Sequence, residues 1–286
     1  MKKILVTGAN GQLGQCLQKI SSQFEEFEFI FTDSETLDIT NKEEVNDFFW
    51  QNAPDFCINA AAYTAVDLAE TDIEKAFLVN ADGAENLVEA CAENNAQFIH
   101  VSTDYVFDGE NNLAYTEEDF TNPLGVYGAS KLAGDELALE VNPCSVILRT
   151  SWVYSEFGKN FVKTMLNLFA TKEELSIVAD QFGQPTNAND LAEAIMKIIK
   201  SEKITPGIFN FSNLGRISWF DFAEKIAELS EAKIKLNAIE TSQYPTPAKR
   251  PKNSVLDLDK ISKTYAVQLK PWEESLEDCV QILQNN

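Results

Sequence analysis

The sequence has little of several features that would each indicate a class of protein. It contains one histidine and five widely spaced cysteines among 286 residues, a pattern that indicates neither a metal site nor a disulfide framework. No segment approaches the ~20 apolar residues that span a bilayer. The apolar run near the N-terminus covers only residues 4–6, which is shorter than a signal peptide requires. We therefore expect a cytoplasmic protein with reduced cysteines.

Basic residues are also scarce. Lys and Arg total 23 against 45 Asp and Glu, so the formal net charge is −22. Because binding to nucleic acid and to anionic membranes relies on clustered Lys and Arg, we expect neither as a partner. A bulk negative field also repels an anionic small molecule, so a phosphate site has to be built locally from backbone amides and a few cations.

Short apolar runs alternate with amphipathic stretches over the first half of the chain. The runs predict strands at residues 4–7, 27–31, 57–59, 98–101 and 145–149. The stretches between them predict helices at residues 13–20, 43–50, 73–94 and 127–140. This alternation is typical of an α/β fold with a doubly wound, Rossmann-like parallel sheet. In such a sheet, ligands bind at the carboxyl ends of the strands.

The rhythm changes after about residue 155. Two later segments, residues 183–200 and 207–213, still look like α/β pieces, and the stretch from residue 217 onward is mainly helical and then proline-rich. We therefore expect two lobes that partly interleave. Residues 1–154 would form the dinucleotide-binding domain, and residues 175–212 would return to it. Residues 155–174 and 213–286 would form a smaller C-terminal substrate-binding lobe.

Three glycines, Gly8, Gly11 and Gly14, lie between the first predicted strand and helix. Glycines there let the backbone turn tightly and approach a pyrophosphate, which then lies at the positive end of the helix. Asp33 follows 19 residues after Gly14, at the end of the second strand, where it can bond the adenosine ribose. The alternative is an ordinary glycine-rich turn, but the context favours a dinucleotide.

Tyr127 and Lys131 are four residues apart on one predicted helix, so their side chains share a face. A free tyrosine has a pKa of about 10, and a nearby ammonium lowers that value by stabilising the phenolate. The pair therefore predicts acid–base chemistry, the alternative being a chance pair on a solvated helix. Thr103, directly after the fourth strand, places a hydroxyl where substrate would lie, unless it serves only as a turn or cap.

Together these three motifs resemble the extended short-chain dehydrogenase/reductases. Further strings are similar to one branch, the dTDP-4-dehydrorhamnose reductases, over nearly the whole chain: residues 59–67, 102–107, 148–154, 181–186 and 244–254. The resemblance implies reduction of the 4-keto group of dTDP-4-dehydro-L-rhamnose to dTDP-L-rhamnose, with NADPH or NADH as cofactor. Asp33 favours NADH by repelling a 2′-phosphate and no arginine follows it directly, but the choice between the two stays open.

The resemblance also implies roles for individual residues. Tyr127 would be the general acid, Lys131 would lower its pKa and bind the nicotinamide ribose, and Thr103 would orient the ketone. The implied cofactor contacts are Gly8, Asn10, Gly11, Gln12, Leu13, Asp33, Asp38, Ile39, Ala60, Ala61, Ala62, Tyr63, Tyr127 and Lys131. The implied substrate contacts are Thr103, Asp104, Tyr105, Tyr127, Trp152 and Arg250.

The chain departs from part of this family at two positions. Some relatives are described as magnesium-linked dimers that use glutamates where this chain has Gln15 and Asn189. Neither residue supplies the anionic oxygen that magnesium favours. We therefore expect no metal, and a monomer is favoured with a dimer left open.

Several alternatives remain at the level of sequence. An epimerase would show no net cofactor consumption, and a dehydratase commonly carries Asp-Glu where this chain has Asp104-Tyr105. A non-catalytic regulatory subunit with the same fold would be expected to have lost Tyr127 or Lys131. His100 lies in an apolar strand and is expected to be a core residue rather than a catalyst. Trp219 is likewise expected in the core.

Overall fold

The computed structural model describes residues 1–285. Its strands are β1 (Lys2–Thr7), β2 (Phe27–Phe31), β3 (Phe56–Asn59), β4 (Gln97–Thr103), β5 (Val146–Thr150), β6 (Val153–Tyr154), β7 (Glu174–Val178), β8 (Phe182–Gly183), β9 (Thr186–Asn187), β10 (Gly207–Asn210), β11 (Ile217–Ser218) and β12 (Lys235–Ile239). Six of them form one parallel sheet in the order β10-β5-β4-β3-β1-β2. The predicted fold class, an α/β doubly wound sheet, is confirmed.

The helices are α1 (Gln12–Ser21), α2 (Lys42–Asn52), α3 (Val66–Ala69), α4 (Ile73–Phe77), α5 (Gly83–Asn94), α6 (Val126–Val141), α7 (Phe161–Phe169), α8 (Ala188–Ile199), α9 (Trp219–Leu229), α10 (Asp259–Tyr265) and α11 (Trp272–Asn285). Helices α1 and α8 cover one face of the large sheet, and α2, α5 and α6 cover the other. Because both faces are covered, the central strands are apolar throughout: Ile4, Leu5 and Val6 are all fully buried. None of the helices described is both long enough and apolar enough to cross a membrane.

The helix predicted over residues 73–94 is interrupted by a wider, π-helical turn at Leu78–Asp82. Within it, Asn80 accepts a hydrogen bond from the Tyr63 amide (2.8 Å) and donates to the Tyr63 carbonyl (3.1 Å). The same side chain donates to Ser130 Oγ at 3.0 Å. Gly134 of α6 lies so close that a Cβ there would sit 2.2 Å from the Asn80 carbonyl oxygen. The turn therefore fixes α6 and the loop after β3 relative to each other.

The second lobe has its own core, built from α7, α9 and α11 around Phe222 and Trp272. Strand β7 pairs with β12 in this lobe, whereas α8 and β10 return to the large sheet. Helix α10 also packs against the sheet, with the Tyr265 ring 5.2 Å from that of Phe209. The return to the first lobe within residues 175–212 thus consists of α8 and β10, since β7 stays with β12. The two-lobe division is kept as a proposal.

Candidate active site

The glycine turn, residues 8–14, links β1 to α1 at the carboxyl edge of the sheet. Gly8 has a φ of +67°, and a Cβ there would lie 2.6 Å from the Ala61 amide nitrogen. A Cβ on Gly14 would lie 2.5 Å from backbone atoms of Ala9. A side chain at Gly8 would collide with the backbone of the loop after β3, and one at Gly14 would collide with the backbone of the turn itself. Only glycine at both positions allows this close approach.

The N-terminus of α1 lies in this turn and is free to bind an anion. Gly11 is the N-cap, and among residues 1–285 no side chain caps the helix. The first amide N–H groups of a helix lack partners within it and carry partial positive charge. A pyrophosphate fits an uncapped helix start that follows a glycine turn.

Asp33 lies at the end of β2, beside the turn, as predicted. Its Oδ1 accepts hydrogen bonds from the Thr36 hydroxyl (3.0 Å) and the Glu35 amide (3.1 Å). Asn10 donates its amide to Asp33 Oδ2. The Thr36 bond and the neighbouring amides hold the pKa of Asp33 below its usual value. The carboxylate is therefore ionised and aimed beside the glycine turn, as recognition of a ribose requires.

The loop after β3, which holds Ala60, Ala61, Ala62 and Tyr63, packs against Gly8. Two asparagines anchor it. Asn59 Oδ1 accepts from the Ala61 amide at 3.2 Å, and Asn80 bonds both backbone groups of Tyr63. Asn80 was not singled out from the sequence, and the π-helical turn that positions it leaves no recognisable local pattern.

The remaining predicted cofactor residues have different surroundings. Gln12 uses its side chain to bridge the lobes, donating to the Val153 carbonyl (3.2 Å) and accepting from Asn160 (2.9 Å). Leu13 is buried in the core behind the turn, and Ile39 is buried against Gly83. Asp38 is exposed and accepts from Thr40. Gln12 and Leu13 therefore have only backbone groups to offer a pyrophosphate.

Tyr127 lies in the first turn of α6, opposite the end of β4. Helix α6 approaches this edge through Gly128, where a Cβ would lie 2.2 Å from the Tyr105 carbonyl oxygen. The rings of Tyr105 and Tyr127 meet edge to face, with centroids 5.6 Å apart. The predicted residues Thr103, Tyr105 and Tyr127 thus come together where β4 ends.

Burial dominates the electrostatic environment of the Tyr127 phenol. Burial raises the pKa of Tyr127 to about 12, with the Thr103 hydroxyl opposing the rise. Lys131 points away, with Nζ 3.0 Å from His100 Nε2 and donating to the Val101 carbonyl at 2.8 Å. In this arrangement the amine is held behind β4 and does not contribute to the pKa of Tyr127, and the expectation that Lys131 lowers that pKa during catalysis stays a prediction. The phenol stays protonated at neutral pH, which suits a proton donor.

Asp104 is buried beneath the edge rather than facing the solvent. The Thr103 hydroxyl donates to Asp104 Oδ1 at 3.1 Å, and the Tyr105 amide donates to Thr103 Oγ1 at 3.2 Å. Burial raises the pKa of Asp104 to about 7. In this arrangement Asp104 contacts the Thr103 hydroxyl, and substrate would meet Thr103 first.

Trp152 follows β5 and has a φ of +47°, a left-handed conformation that is costly for a bulky residue. Its ring stacks on Trp219, with centroids 3.5 Å apart, and covers Gly183, where a Cβ would lie 2.5 Å from the indole. Trp219 was expected in the core. It is half-buried, packs against the core of the second lobe and also forms part of a cleft wall.

Arg250 pairs with Asp67 across the two lobes. Its Nη1 donates to Asp67 Oδ1 (2.7 Å) and its Nη2 to Asp67 Oδ2 (2.8 Å), while Nη1 also donates to the Ala248 carbonyl. The guanidinium has five N–H donors. Two of them, on Nε and Nη2, make no hydrogen bond within residues 1–285 and form the side fork that matches phosphate. In the sequence, Asp67 is only the last residue of one family-like segment, residues 59–67, and nothing there predicts that it pairs with Arg250.

A cleft of about 410 Å³ opens between α7, β7 and the proline-rich segment. We call it the aromatic groove and define it by Phe161, Gln181, Trp219, Tyr244, Thr246 and Arg250. Its volume lies within the range usual for small-molecule sites. One wall is aromatic and one end carries the guanidinium, a combination suited to a planar base linked to phosphate.

Comparison with known proteins adds to this geometry. The family described as "RmlD substrate binding domain" matches residues 1–285. A dTDP-4-dehydrorhamnose reductase from Aggregatibacter actinomycetemcomitans is 44% identical over 288 residues, covering 97% of this chain and 98% of that protein. The chain belongs to the dTDP-4-dehydrorhamnose reductase family. The family predicted from the motifs is thus confirmed.

Solved structures of similar proteins share the fold of this reductase throughout. The crystal structure of a dTDP-4-dehydrorhamnose reductase from Clostridium acetobutylicum is 43% identical, with a TM-score of 0.95 and 99% of both chains covered. A second crystal structure, of the Bacillus anthracis dTDP-4-dehydrorhamnose reductase in complex with NADP, is 39% identical in sequence and has a TM-score of 0.95. The match covers 99% of this chain and 100% of that one.

The two positions considered for a metal make protein contacts in this reductase. Gln15 donates to the Asn10 carbonyl at 2.9 Å, and Asn189 donates to Glu156 at 2.8 Å. Lys19 also pairs with Glu156 at 2.6 Å. Within residues 1–285, no group of three or more His, Cys, Asp or Glu side chains could hold a metal ion. The expectation of no metal stays a prediction.

Proposed function

We propose that this chain reduces the 4-keto group of dTDP-4-dehydro-L-rhamnose to give dTDP-L-rhamnose, with NADPH or NADH as the reductant. The observation that carries the proposal is that the glycine turn and the Tyr127 phenol lie at the same carboxyl edge of the sheet, with Tyr105 beside Tyr127 and close to Arg250 of the aromatic groove. Membership of the family and the NADP bound to the Bacillus anthracis relative support the same activity.

The cofactor fits the glycine turn, where the uncapped start of α1 would hold the pyrophosphate and Asp33 the adenosine ribose. A reduced nicotinamide supplies the hydride that the ketone carbon receives. The loop at residues 60–63, fixed by Asn59 and Asn80, would position the nicotinamide end of the cofactor. We propose that Lys131 turns toward the ribose hydroxyls when the cofactor is bound.

The proton for the new hydroxyl would come from Tyr127. With its pKa raised to about 12 by burial, the phenol is protonated over the whole neutral range, and so is ready to donate to an alkoxide. Thr103 would hold the ketone oxygen beside that phenol. Because Asp104 accepts from Thr103, a protonated Asp104 would leave the Thr103 hydroxyl free to donate to substrate.

The aromatic groove would take the nucleotide part of the substrate. Trp152 and Trp219 offer a stacked aromatic surface for sugar and base, and the side fork of Arg250 would bind the diphosphate. Tyr105 would contact the sugar through its ring, which lies beside Tyr127. A local cation is needed there, because the net charge of −22 otherwise repels a sugar nucleotide.

The test is an assay of NADPH oxidation with dTDP-4-dehydro-L-rhamnose, with the product identified by NMR. We expect stoichiometric NADPH consumption and dTDP-L-rhamnose. Product formed without net cofactor consumption would indicate an epimerase, and no turnover with a folded, NADPH-binding protein would indicate a non-catalytic subunit. Either outcome contradicts the proposal.

We further propose a cytoplasmic protein that acts as a monomer on a small-molecule partner. The acidic composition supports the absence of nucleic-acid and membrane partners, since neither polyanion attracts such a surface. Replacement of the two glutamates by Gln15 and Asn189 supports the monomer, with a dimer as the alternative. Sedimentation with and without magnesium tests this point.

A further inference from the structure

His100 is the one histidine in the sequence and lies fully buried on β4, directly behind the Tyr127–Lys131 pair. Both of its ring nitrogens face polar side chains. Nδ1 lies 3.0 Å from Asn59 Nδ2, and Nε2 lies 3.0 Å from Lys131 Nζ. An imidazole engaged on both sides is more than apolar filling, and the proposed catalytic steps do not use it.

The orientation of the Asn59 amide decides which nitrogen of His100 carries the proton. Asn59 Oδ1 accepts from the Thr7 hydroxyl at 2.8 Å and from the Ala61 amide at 3.2 Å. A backbone N–H can only donate, so the oxygen of Asn59 has to face Ala61. The NH₂ group of Asn59 therefore faces His100 and donates to Nδ1.

Because Nδ1 accepts, a neutral imidazole has to carry its hydrogen on Nε2, the nitrogen that faces Lys131. An ammonium has three donors and no acceptor, so a charged Lys131 would place donor against donor at 3.0 Å. A neutral amine can accept from Nε2–H. Asp135 Oδ1, 3.8 Å from Nε2, makes no hydrogen bond within residues 1–285 and is a second acceptor on this side.

We propose that His100 is a positioning residue that holds Lys131 as a neutral amine, turned away from Tyr127, until a cofactor binds. Binding then draws the amine to the ribose hydroxyls, where it takes up a proton. The role of this movement of Lys131 in the reduction rests on the proposed function. The protonation of Lys131 and His100 in the cofactor-free protein does not depend on it.

The titratable and charged groups around Lys131 set the pH range in which this state is populated. They are Tyr127 and Asp135 on α6, His100 on β4 and Arg149 on β5. Burial lowers the pKa of Lys131 to about 8, with Asp135 opposing the shift, so the neutral amine is the main form only above about pH 8. Arg149 Nε pairs with Asp135 Oδ2 at 3.3 Å. This ion pair weakens the electrostatic stabilisation that the Asp135 carboxylate gives to a charged Lys131. Burial also lowers the pKa of His100, which excludes an imidazolium near neutral pH.

The first experiment reads the tautomer directly. Because the chain has one histidine, protein labelled with ¹⁵N-histidine gives a single pair of ring nitrogen signals. We expect a protonated Nε2 and an unprotonated Nδ1 in the cofactor-free protein at a pH of about 9, above the pKa of about 8 of Lys131. A protonated Nδ1, or an imidazolium, would overturn the proposal. The measurement needs no substrate, so its failure leaves the proposed activity untouched.

The second experiment counts protons. Calorimetry of NADPH binding in buffers of different ionisation enthalpy, at a pH of about 9 where Lys131 is mostly neutral before binding, should show uptake of roughly one proton by the wild-type protein. In Asn59→Asp, a carboxylate of the same shape accepts from Nδ1–H, so Nε2 becomes an acceptor for a charged Lys131. We expect that variant to show the Nδ1–H tautomer and proton uptake near zero.

His100→Gln provides a matched control, since its amide oxygen can accept from a charged Lys131. It should also bind NADPH without proton uptake while keeping the melting temperature close to wild type. Equal proton uptake in the wild-type protein and in Asn59→Asp would contradict the proposal. So would an unchanged tautomer in Asn59→Asp, whatever the activity of that variant.

Discussion

The glycine turn and the aromatic groove differ in how their parts lie along the chain. The turn spans residues 8–14 and acts through backbone groups at the start of α1. The groove draws side chains from Phe161 to Arg250, and Arg250 is held by Asp67, 183 residues away in sequence. The proposed cofactor side is thus a local backbone shape, and the proposed sugar side is an assembly of distant side chains. Variants on the two sides should therefore separate the two binding steps.

Tyr127 is the proposed proton donor, and loss of its hydroxyl should have the largest effect. Tyr127→Phe keeps the ring but removes the proton donor, so kcat should fall about 10²–10⁴-fold, the usual range for a general acid. NADPH affinity and the KM for the sugar nucleotide should change little. Steady-state kinetics with a separate NADPH titration check this, and turnover near wild type would exclude Tyr127 as the acid.

Gly14→Ala should damage the cofactor side alone. Its Cβ would lie 2.5 Å from backbone atoms of Ala9, and such overpacking typically costs ~1–3 kcal/mol. If the NADPH-binding conformation of the turn is the one that is strained, the affinity for NADPH should drop roughly 10–100-fold. Fluorescence titration measures NADPH, and dTDP binding should be unaffected. Gly11→Ala provides a graded comparison within the turn, because its Cβ would lie 3.1 Å from the Gly8 carbonyl oxygen, a milder contact that should cost less NADPH affinity than Gly14→Ala.

Arg250→Ala should damage the sugar side alone. A charge-assisted contact to phosphate is worth ~1.5–3 kcal/mol, so the KM for the sugar nucleotide should rise roughly 10–100-fold. NADPH affinity should stay the same. Asp67→Asn is the control, because it weakens the bridge between the lobes but keeps the guanidinium. If both variants lose thermal stability and neither loses sugar-nucleotide affinity, the pair serves only as a bridge.

Trp219→Leu should have a smaller effect on the same side. An aromatic pair contributes ~0.5–1.5 kcal/mol beyond the area it buries, so the KM for the sugar nucleotide should rise roughly two- to tenfold. The stack of Trp152 on Trp219 should also become looser, which the tryptophan fluorescence reports. An unchanged KM would show that Trp219 supports the fold without contributing to the binding surface.

The choice of cofactor should show the smallest difference. Asp33 and Glu35 stand beside the turn, and no arginine follows Asp33 directly to pair with a 2′-phosphate. We expect kcat/KM with NADH and NADPH to agree within about tenfold, or ~1.4 kcal/mol. Steady-state kinetics with both cofactors measure this. A thousandfold preference for NADPH would mean that Asp33 turns away from the ribose.

The sequence by itself determined the parts of the molecule whose geometry is local. A strand, a glycine turn and a helix within residues 2–21 leave few backbone solutions, because bulky side chains at Gly8 and Gly14 would collide with backbone. Likewise, four residues along one helix place Tyr127 and Lys131 on the same face. The sheet, its covering helices and the family followed from the same short-range patterns.

The tertiary structure alone decided what those side chains meet. The position of the Lys131 amine depends on His100 of β4, which contacts Asn59 of the neighbouring strand β3. The orientation of the Asn59 amide depends in turn on the backbone N–H of Ala61. Nothing within one segment of sequence specifies which buried donors and acceptors meet when strands pair and a helix crosses them. The physical reason is that hydrogen bonds between distant residues are set by packing, which local backbone preferences do not encode.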